Sequence, residues 1–243
     1  LVIIFNGEIF NAPEIRKNLL SEGEVFRTSH SDTETILKLY EKIGEKAFSM
    51  LNGMFAIAIY DKKKKVIFLA RDQIGIKPLY YAFKNSIFCF ASEILPMKEF
   101  FPSINFDKQS IYYFFSRQAG RSKNSIYEDV CKLQPGTFIR FDLRKKTLSQ
   151  KNFWVPKIGN FDNKNYFVEK ELYNIFKASV KRWCSSDTPI AISLSGGLDS
   201  SSILSTMNDI GFENIRTYSL IYPENKYLDE SANAKLLAEK FGT

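Results

Sequence analysis

The sequence predicts two domains: a layered α+β domain, then the beginning of a doubly wound α/β domain. In residues 1–154, short apolar segments on either side of charged turns predict paired strands, and two amphipathic helices precede most of them. Strands and helices do not alternate as in βαβ units, which favours an α+β layered domain. Near Trp154 the pattern changes, and after residue 188 strands and helices alternate. Residues 155–165 are polar, contain Pro and Gly, and are the predicted linker. We therefore expect domains over 1–154 and 166–243.

The first helix of this α+β domain follows the apolar strand LVIIF. Residues 12–23 predict a helix with Ile15, Leu19 and Leu20 on one face and Gly23 at its end.

A second helix is predicted over 31–51. Ser31 is its expected N-cap and Glu34 stands at N3, the pattern of a capping box. Alternating apolar residues around short polar turns then predict three hairpins, and an aromatic-rich stretch predicts a short helix. The hairpins cover 53–72, 78–93 and 137–154, and the short helix covers 109–116.

The second half begins with a long amphipathic helix over 166–183. Its apolar stripe is expected to pack into a core rather than bind a ligand. The stripe consists of Val168, Leu172, Ile175, Phe176, Ser179, Val180 and Trp183. A strand, a helix, a strand and a helix follow, as at the start of a parallel sheet. They are expected at 189–194, 200–210, 216–222 and 230–241.

A glycine- and serine-rich loop joins the first of these strands to its helix. Residues 193–201 read SLSGGLDSS. Such a corner directs backbone N–H groups and the positive end of a helix dipole to one place, and glycine lets an anion approach closely. The loop lacks the lysine of the common phosphate loop but contains Asp199, which would repel polyphosphate unless Mg²⁺ lay between them. This pattern favours nucleotide phosphate with Mg²⁺ over a plain Gly-Ser turn.

Composition excludes several other classes of function. The net charge of +7 comes largely from two basic runs between strands, at 61–65 and 144–146, so we expect hairpin turns and no nucleic-acid partner. One His and scattered Cys89, Cys131 and Cys184 argue against zinc and fit free thiols in the cytoplasm. No apolar run is long enough for a membrane span. Since the chain begins inside an apolar strand without Met, we expect it to be part of a longer protein.

Five stretches of the first half, in order, resemble the glutamine-hydrolysing asparagine synthetase family. They read IIFNGEIFN, RTSHSDTETIL, LNGMFAIAIYD, FLARDQIGIKPLYY and FASE, and SLSGGLDSS follows them. The loop itself resembles the PP-loop of ATP pyrophosphatases. The resemblance implies an αββα Ntn-hydrolase-like amidotransferase domain followed by the start of a PP-loop domain. It further implies that glutamine supplies ammonia, ATP adenylates a carboxylate, and ammonia displaces AMP to give an amide.

The resemblance assigns glutamine-binding roles to four residues. Asn6 and Gly7 match the catalytic oxyanion hole, and Glu8 and Asp32 match the acids that hold the α-amino group of glutamine. Taken singly, Asn6–Gly7 also fits a tight hairpin turn, and Asp32 also fits a first-turn acid that favours the helix dipole.

For ATP, the resemblance likewise assigns residues around the loop. The ATP-binding set is Leu194, Ser195, Gly196, Gly197, Asp199, Ser200 and Leu220, with Asp199 as the Mg²⁺ ligand. Asp229 and Glu230 lie where the substrate could approach, although helix capping explains them equally well.

Two family features are missing from this sequence. The family's nucleophile is an N-terminal cysteine, and none of Cys89, Cys131 and Cys184 is terminal. The arginine that binds the glutamine carboxylate in the family lies upstream of the NGE motif and is also absent. We therefore expect this chain alone not to hydrolyse glutamine.

The leading hypothesis is an amide synthetase that uses glutamine, ATP and a carboxylate, most simply aspartate, with a homodimer as the candidate assembly. One alternative is an adenylating ligase on the same scaffold that does not use glutamine, such as a β-lactam synthetase or a peptide cyclase. Another is a non-catalytic nucleotide-binding module.

Overall fold

The structure, a computed structural model, divides into two compact units, Leu1–Gly159 and Asn160–Thr243. It describes residues 1–101, 105–117, 124–157, 159, 168–186, 188–222, 224–225 and 229–243. Most of the predicted linker, residues 158 and 160–165, therefore lies outside the described residues, as do 166–167 at the predicted start of the second domain. Each unit is described by itself.

The first unit contains eight strands and four α-helices among its described residues. The strands are β1 (Val2–Ile9), β2 (Gly53–Asp61), β3 (Val66–Arg71), β4 (Tyr80–Lys84), β5 (Ile87–Ala91), β6 (Cys131–Lys132), β7 (Thr137–Asp142) and β8 (Thr147–Asn152). The helices are α1 (Ala12–Ser21), α2 (Asp32–Ile43), α3 (Ala47–Met50) and α4 (Lys108–Arg117), with short 3₁₀ helices at Gly44–Lys46 and Leu95–Glu99.

Two antiparallel sheets form the centre of this unit. The larger has the order β1-β2-β3-β7-β8, and the smaller has the order β5-β4-β6. Along the β1–β2 pair, Asn6 lies opposite Ala56 and Gly7 opposite Phe55. Because β1 is an edge strand of the larger sheet, one of its sides is left without a strand partner in that sheet.

Apolar contacts stack these elements in layers. Helices α1 and α2 cover one face of the larger sheet, where Ile15 and Ile36 join Phe55 and Phe68 in one buried cluster. The opposite face packs on the smaller sheet through a second cluster that includes Leu69 and the partly buried side chains of β4 and β5.

The outer face of the smaller sheet is covered as well. Met97 of the second 3₁₀ helix and Phe101 pack against Ala82 of β4. The order helix, sheet, sheet, helical segment is the predicted α+β Ntn-hydrolase-like (αββα) architecture, so this part of the fold prediction is confirmed.

The two basic runs lie in hairpin turns of the first unit, as the sequence predicts. In each, the aspartate before the run accepts backbone N–H groups of the turn. Asp61 accepts from Lys64 N at 3.0 Å, and Asp142 accepts from Arg144 N and Lys145 N, both at 3.0 Å. The basic residues of both runs, 62–65 and 144–146, are exposed at the ends of their hairpins.

The second unit contains helices α5 (Val168–Trp183), α6 (Leu198–Asp209) and α7 (Ser231–Phe241) and strands β9 (Ala191–Ser193) and β10 (Arg216–Tyr218). The two strands are parallel and connected through α6, which is the predicted start of a doubly wound sheet. Ile192, Leu204 and Met207 lie in its core. Both strands are shorter than predicted and leave the residues after them in irregular loops.

Three sequence predictions about helices were wrong. Leu20 does not lie on the buried face of α1, because it is 51% exposed whereas Ile15 and Leu19 are buried. The helix predicted over 31–51 ends at Ile43, because Gly44 has a positive φ of 62° and directs the chain into a 3₁₀ turn before α3.

The third error concerns the apolar stripe of α5. Only Val180 of that helix is buried, and Phe176 is partly buried, whereas Leu172 and Ile175 are about 60% exposed. The apolar residues do lie on one stripe of the helix, but those in its first half pack against no core among the described residues.

Among the helices of the described residues, none combines the length and apolarity needed to cross a bilayer.

Candidate active sites

The NGE motif lies within a strand and not in a turn. Asn6, Gly7 and Glu8 are all paired with β2, which excludes the alternative that Asn6–Gly7 is a tight hairpin turn. Gly7 has a φ of +148°, and a Cβ built on it would lie 1.9 Å from the Met54 carbonyl oxygen. Only glycine fits here, because any side chain would collide with the backbone of the neighbouring strand.

Two side-chain contacts connect other segments to this part of β1. The Asn6 Nδ2 donates to Ser92 Oγ at 3.0 Å, and the Ile9 backbone N–H donates to Asp32 Oδ2 at 2.8 Å. Asp32 is the first residue of α2, so it is a first-turn acid as well as a contact of β1. The structure thus places Asn6, Gly7 and Glu8 together with Asp32 at the end of β1.

The segment before α2 is fixed by the capping residues that the sequence identified. Ser31 is the N-cap and accepts from Glu34 N at 3.3 Å. The Glu34 carboxylate, however, accepts from Arg27 N at 2.7 Å, Thr28 N at 2.8 Å and Thr28 Oγ1 instead of completing a capping box with Ser31 N. These hydrogen bonds, first that of Thr28 Oγ1 and then that of Arg27 N, lower the pKa of Glu34 to about 2. Glu34 thereby attaches the loop before Ser31 to the helix that carries Asp32.

The RDQIGIKP stretch forms a loop held by two buried charged side chains. The Arg71 guanidinium donates to the carbonyl oxygens of Lys77 at 2.6 Å, Leu133 at 2.8 Å and Gly75 at 2.5 Å. Burial lowers the pKa of Arg71 despite the opposite effect of Asp72. Gly75 has a φ of +74°, and a Cβ there would lie 2.9 Å from Arg71 Cζ.

Asp72 connects this loop to the strand opposite the NGE motif. Its carboxylate accepts from the backbone N–H groups of Phe55 at 3.2 Å, Ile76 at 2.8 Å and Lys77 at 3.0 Å. Phe55 is the partner of Gly7 in the β1–β2 pair. Arg71 and Asp72 thus act mainly by hydrogen bonding to backbone groups, a role that the sequence did not predict.

A cavity of about 500 Å³ lies beside the loop. Its lining includes Arg71, Gly75, Tyr80 and Lys132, and burial together with the Arg71 charge lowers the pKa of Lys132. Among the described residues that line it, none is a predicted glutamine-binding residue. The chemistry expected at β1 is therefore not located in this cavity.

Two of the three cysteines, Cys89 and Cys184, have surroundings that disfavour a nucleophilic thiolate. Cys89 lies in β5, where burial raises the pKa of its thiol, and burial also raises the pKa of Cys184. A raised pKa disfavours the thiolate that attacks an amide.

In the second unit, SLSGGLDSS begins with the last residue of β9, forms the loop over 194–197 and continues into the first turn of α6. Leu194 is buried, and its N–H donates to the Tyr218 carbonyl oxygen at 2.8 Å, while Ser219 Oγ donates to the Leu194 carbonyl oxygen at 2.7 Å. These contacts place Ser219, at the end of β10, beside the loop.

Serine hydroxyl oxygens accept hydrogen bonds from two backbone N–H groups of the loop. The N–H of Ser195 donates to Ser200 Oγ at 3.3 Å, and the N–H of Gly197 donates to Ser195 Oγ at 3.2 Å. Gly196 has a φ of +84°, and a Cβ there would lie 2.8 Å from Ala234 N. The loop therefore lies against the first turn of α7, and two of its N–H groups donate to serine hydroxyl oxygens.

The remaining predicted ATP residues are exposed. Asp199 lies in the first turn of α6, and no hydrogen bond or ion pair engages its carboxylate within the described residues. Leu220 is 77% exposed just after β10.

Asp229, which the sequence placed near the substrate or at a helix cap, lies before α7. Its carboxylate accepts from Ser231 N at 3.1 Å, a contact that fits the helix-capping alternative. The described part of the chain contains no cluster of three or more His, Cys, Asp or Glu residues that could hold a metal by itself.

Comparison with known proteins agrees with this arrangement. Residues 1–154 match the family model of the glutamine amidotransferase domain, and residues 171–243 match that of asparagine synthase. The fold and these matches define the class: an amidotransferase domain joined to a synthase domain. The chain belongs to the glutamine-hydrolysing asparagine synthetase family.

The individual relatives are similar over nearly the whole chain. A protein of Methanocaldococcus jannaschii, named as a glutamine-hydrolysing asparagine synthetase, is 35% identical over 251 residues, which cover 100% of this chain and 47% of the relative. Asparagine synthetase [glutamine-hydrolyzing] 3 of Bacillus subtilis is 32% identical over 95% of this chain and 38% of its own length. Glutamine phosphoribosylpyrophosphate amidotransferase of B. subtilis is a structural neighbour, with a TM-score of 0.44 and 21% identity over 93% of this chain and 46% of its own. The chain thus spans less than half the length of these relatives.

Proposed function

We propose that the complete protein is an ATP-dependent, glutamine-hydrolysing amide synthetase that converts aspartate to asparagine. The observation that carries the proposal is the succession, in one chain, of an amidotransferase domain and a synthase domain whose motifs lie at a strand edge and a phosphate-type loop. Glutamine, ATP and aspartate are the proposed substrates. We further propose action in the cytoplasm, as a homodimer and without nucleic-acid or membrane partners.

Glutamine hydrolysis is assigned to the end of β1. Asn6 Nδ2 and the Gly7 backbone N–H are the proposed donors to the negative charge that develops on the amide carbonyl oxygen. Glu8 and Asp32 are the proposed partners of the α-ammonium group. The contact between Asp32 and Ile9 supports this assignment, because it holds an acid of α2 next to Glu8.

Carboxylate adenylation is assigned to the loop between β9 and α6. Phosphate oxygens of ATP would replace the serine oxygens that now accept from the N–H groups of Ser195 and Gly197. Ser200 at the start of α6, Gly196 in the loop beside α7 and Leu194 directly after β9 complete the proposed phosphate contacts. Exposed Leu220 is the proposed adenine contact.

The Asp199 carboxylate fits a Mg²⁺ ion at this loop. It is exposed and unpaired among the described residues, and Mg²⁺ is usually held by one or two carboxylates together with substrate phosphates. Bound there, Mg²⁺ would neutralise phosphate charge as pyrophosphate leaves.

The proposal is tested by measuring products with the complete protein. Supplied with glutamine, aspartate and ATP, it should form glutamate, asparagine, AMP and pyrophosphate in equal amounts, and ammonium should replace glutamine for all products except glutamate. Sequencing of the native N-terminus should give cysteine. Adenylation without glutamate formation would instead identify a ligase that does not use glutamine, and ATP binding without pyrophosphate release would identify a non-catalytic module.

A further inference from the structure

The Asn6 side chain has a specific partner on a distant strand. Its Nδ2 donates to Ser92 Oγ at 3.0 Å across a separation of 86 residues. Asn6 lies on β1 of the larger sheet, whereas Ser92 directly follows β5 of the smaller sheet. We infer that Ser92 is a positioning residue that orients the Asn6 amide for glutamine hydrolysis. The inference rests on the proposed function of Asn6.

The chemistry of a primary amide explains why orientation matters. An asparagine amide has two N–H donors on one end and a carbonyl acceptor on the other. Its terminal torsion is broad and roughly two-fold, so a free side chain presents either end. A carbonyl oxygen turned towards a developing oxyanion would repel it, whereas an N–H stabilises it.

The structure contains one of these two orientations. The Ser92 hydroxyl oxygen accepts one N–H of Asn6, so the nitrogen end of the amide faces Ser92, and the second N–H stays available for the substrate oxygen. The backbone of Asn6 is already fixed by pairing with Ala56 and by the tight approach of Gly7 to Met54. The backbone of Asn6 is therefore fixed, and only its exposed side-chain amide can still rotate. Ser92 restricts that rotation.

The position of Ser92 is equally well defined. Ala91, the residue before it, pairs with Tyr80 at the end of the β4–β5 hairpin. Partly buried side chains of that hairpin pack against the larger sheet. The hydroxyl is thus held by packed structure and not by a free loop.

The test uses the complete protein. It distinguishes a role of Ser92 in orienting the Asn6 amide from a purely structural role in holding the two sheets together. Ser92→Ala should lower the kcat of glutamine hydrolysis about 10-fold, the size expected for one lost hydrogen bond. The KM for glutamine should stay within about two-fold, because the ammonium and carboxylate contacts of the substrate are untouched. Ammonium-dependent synthesis should be unchanged. Ser149→Ala, which removes an exposed hydroxyl from β8, is the matched control and should leave both activities unchanged.

A double-mutant cycle makes the coupling explicit. Asn6→Ala should cost about 10²–10³ in glutaminase rate, typical of an oxyanion-hole donor. Adding Ser92→Ala to Asn6→Ala should cost nothing more, because Ser92 acts through Asn6. Losses that multiply in the double variant, or a Ser92→Ala variant as active as the parent, would overturn the inference.

Two further outcomes are distinguishable. If Asn6→Ala itself leaves glutaminase intact, the oxyanion role in the proposed function fails, and the role of Ser92 fails with it. If Ser92→Ala unfolds at a lower temperature, the isosteric pair Ser92→Thr and Ser92→Val replaces it: Thr should retain the kcat and Val should lose about 10-fold. Equal rates for Thr and Val would show that the hydroxyl only fills space.

Discussion

Gly7 and Met54 approach so closely that a methyl group on Gly7 would overlap the Met54 carbonyl oxygen, at a distance of 1.9 Å. The approach is reciprocal, since a Cβ on Gly53 would lie 2.1 Å from the Glu8 carbonyl oxygen. Two glycines on facing strands therefore allow β1 and β2 to meet closely at the NGE motif.

Substitution of Gly7 by alanine is expected to destabilise the first unit strongly. The new methyl group meets backbone atoms that cannot move without separating the strands. We expect the free energy of unfolding to fall by about 3 kcal/mol or more, measured by chemical denaturation.

Gly23→Ala is the matched control for this experiment. Gly23 also has a positive φ, of +91°, but a Cβ there meets nothing within 4 Å. It should cost only the backbone strain, about 1–2 kcal/mol. Equal losses for the two variants would show that strain alone, without the strand contact, explains Gly7.

Replacement of Arg71 by lysine should also be costly although the charge is kept. Lysine cannot reach three carbonyl oxygens in the fork geometry that the guanidinium provides. We expect a loss of about 2–4 kcal/mol in unfolding free energy, from buried carbonyl groups left without donors.

Arg140→Lys provides the comparison for Arg71. Arg140 is half-exposed and forms an ion pair with Asp142 at 3.2 Å. Its replacement should change stability by less than about 1 kcal/mol. A similar small effect at position 71 would contradict the role assigned to that guanidinium.

Acid should selectively weaken the attachment made by Glu34. Its pKa is lower in the folded chain, at about 2, than its ordinary value of 4.5, so the folded state favours the carboxylate form. The stabilisation is present above pH 4.5 and is lost as the pH falls from 4.5 towards 2. Melting temperatures of the parent and Glu34→Gln should therefore differ at pH 6, and the difference should shrink as the pH is lowered from 4.5 towards 2.

Glu14→Gln controls for the loss of an acid from a helix first turn. Its melting temperature should follow that of the parent across the same pH range. A constant gap between the parent and Glu34→Gln at all pH values would mean that the carboxylate charge is not the cause.

Asp199→Ala should separate the two proposed activities of the complete protein. Release of pyrophosphate from ATP should be abolished, because the proposed Mg²⁺ ligand is lost, while glutamine hydrolysis continues. Both are measured on one preparation, and Asp209→Ala at the other end of α6 is the control. Undiminished pyrophosphate release would exclude the Mg²⁺ role of Asp199.

Local sequence signals identified most elements of this fold. The hairpins follow from alternating apolar residues around polar turns, and Ser31 marks the start of α2 because its side chain caps a nearby N–H. The NGE motif was located by resemblance, and its placement in a strand came only from the structure.

What the sequence did not reveal depends on partners that are distant in the chain. Ser92 belongs to the quoted FASE motif, but its contact with Asn6 spans two sheets. Asp72 has an obvious neighbour in Arg71, yet it binds backbone N–H groups that only the folded loop brings near. Leu172 has the spacing of a core residue, but spacing cannot tell whether another element will cover it.

The contact of Gly196 with Asn233 and Ala234 has a consequence for how the protein is made. A ribosome releases the chain from its N-terminus, so the serines and glycines of the loop emerge well before the helix on which they rest. The loop can adopt its final conformation only after α7 has been synthesised and has folded into a helix. The proposed nucleotide site near residue 196 thus depends on a support that is encoded downstream of it.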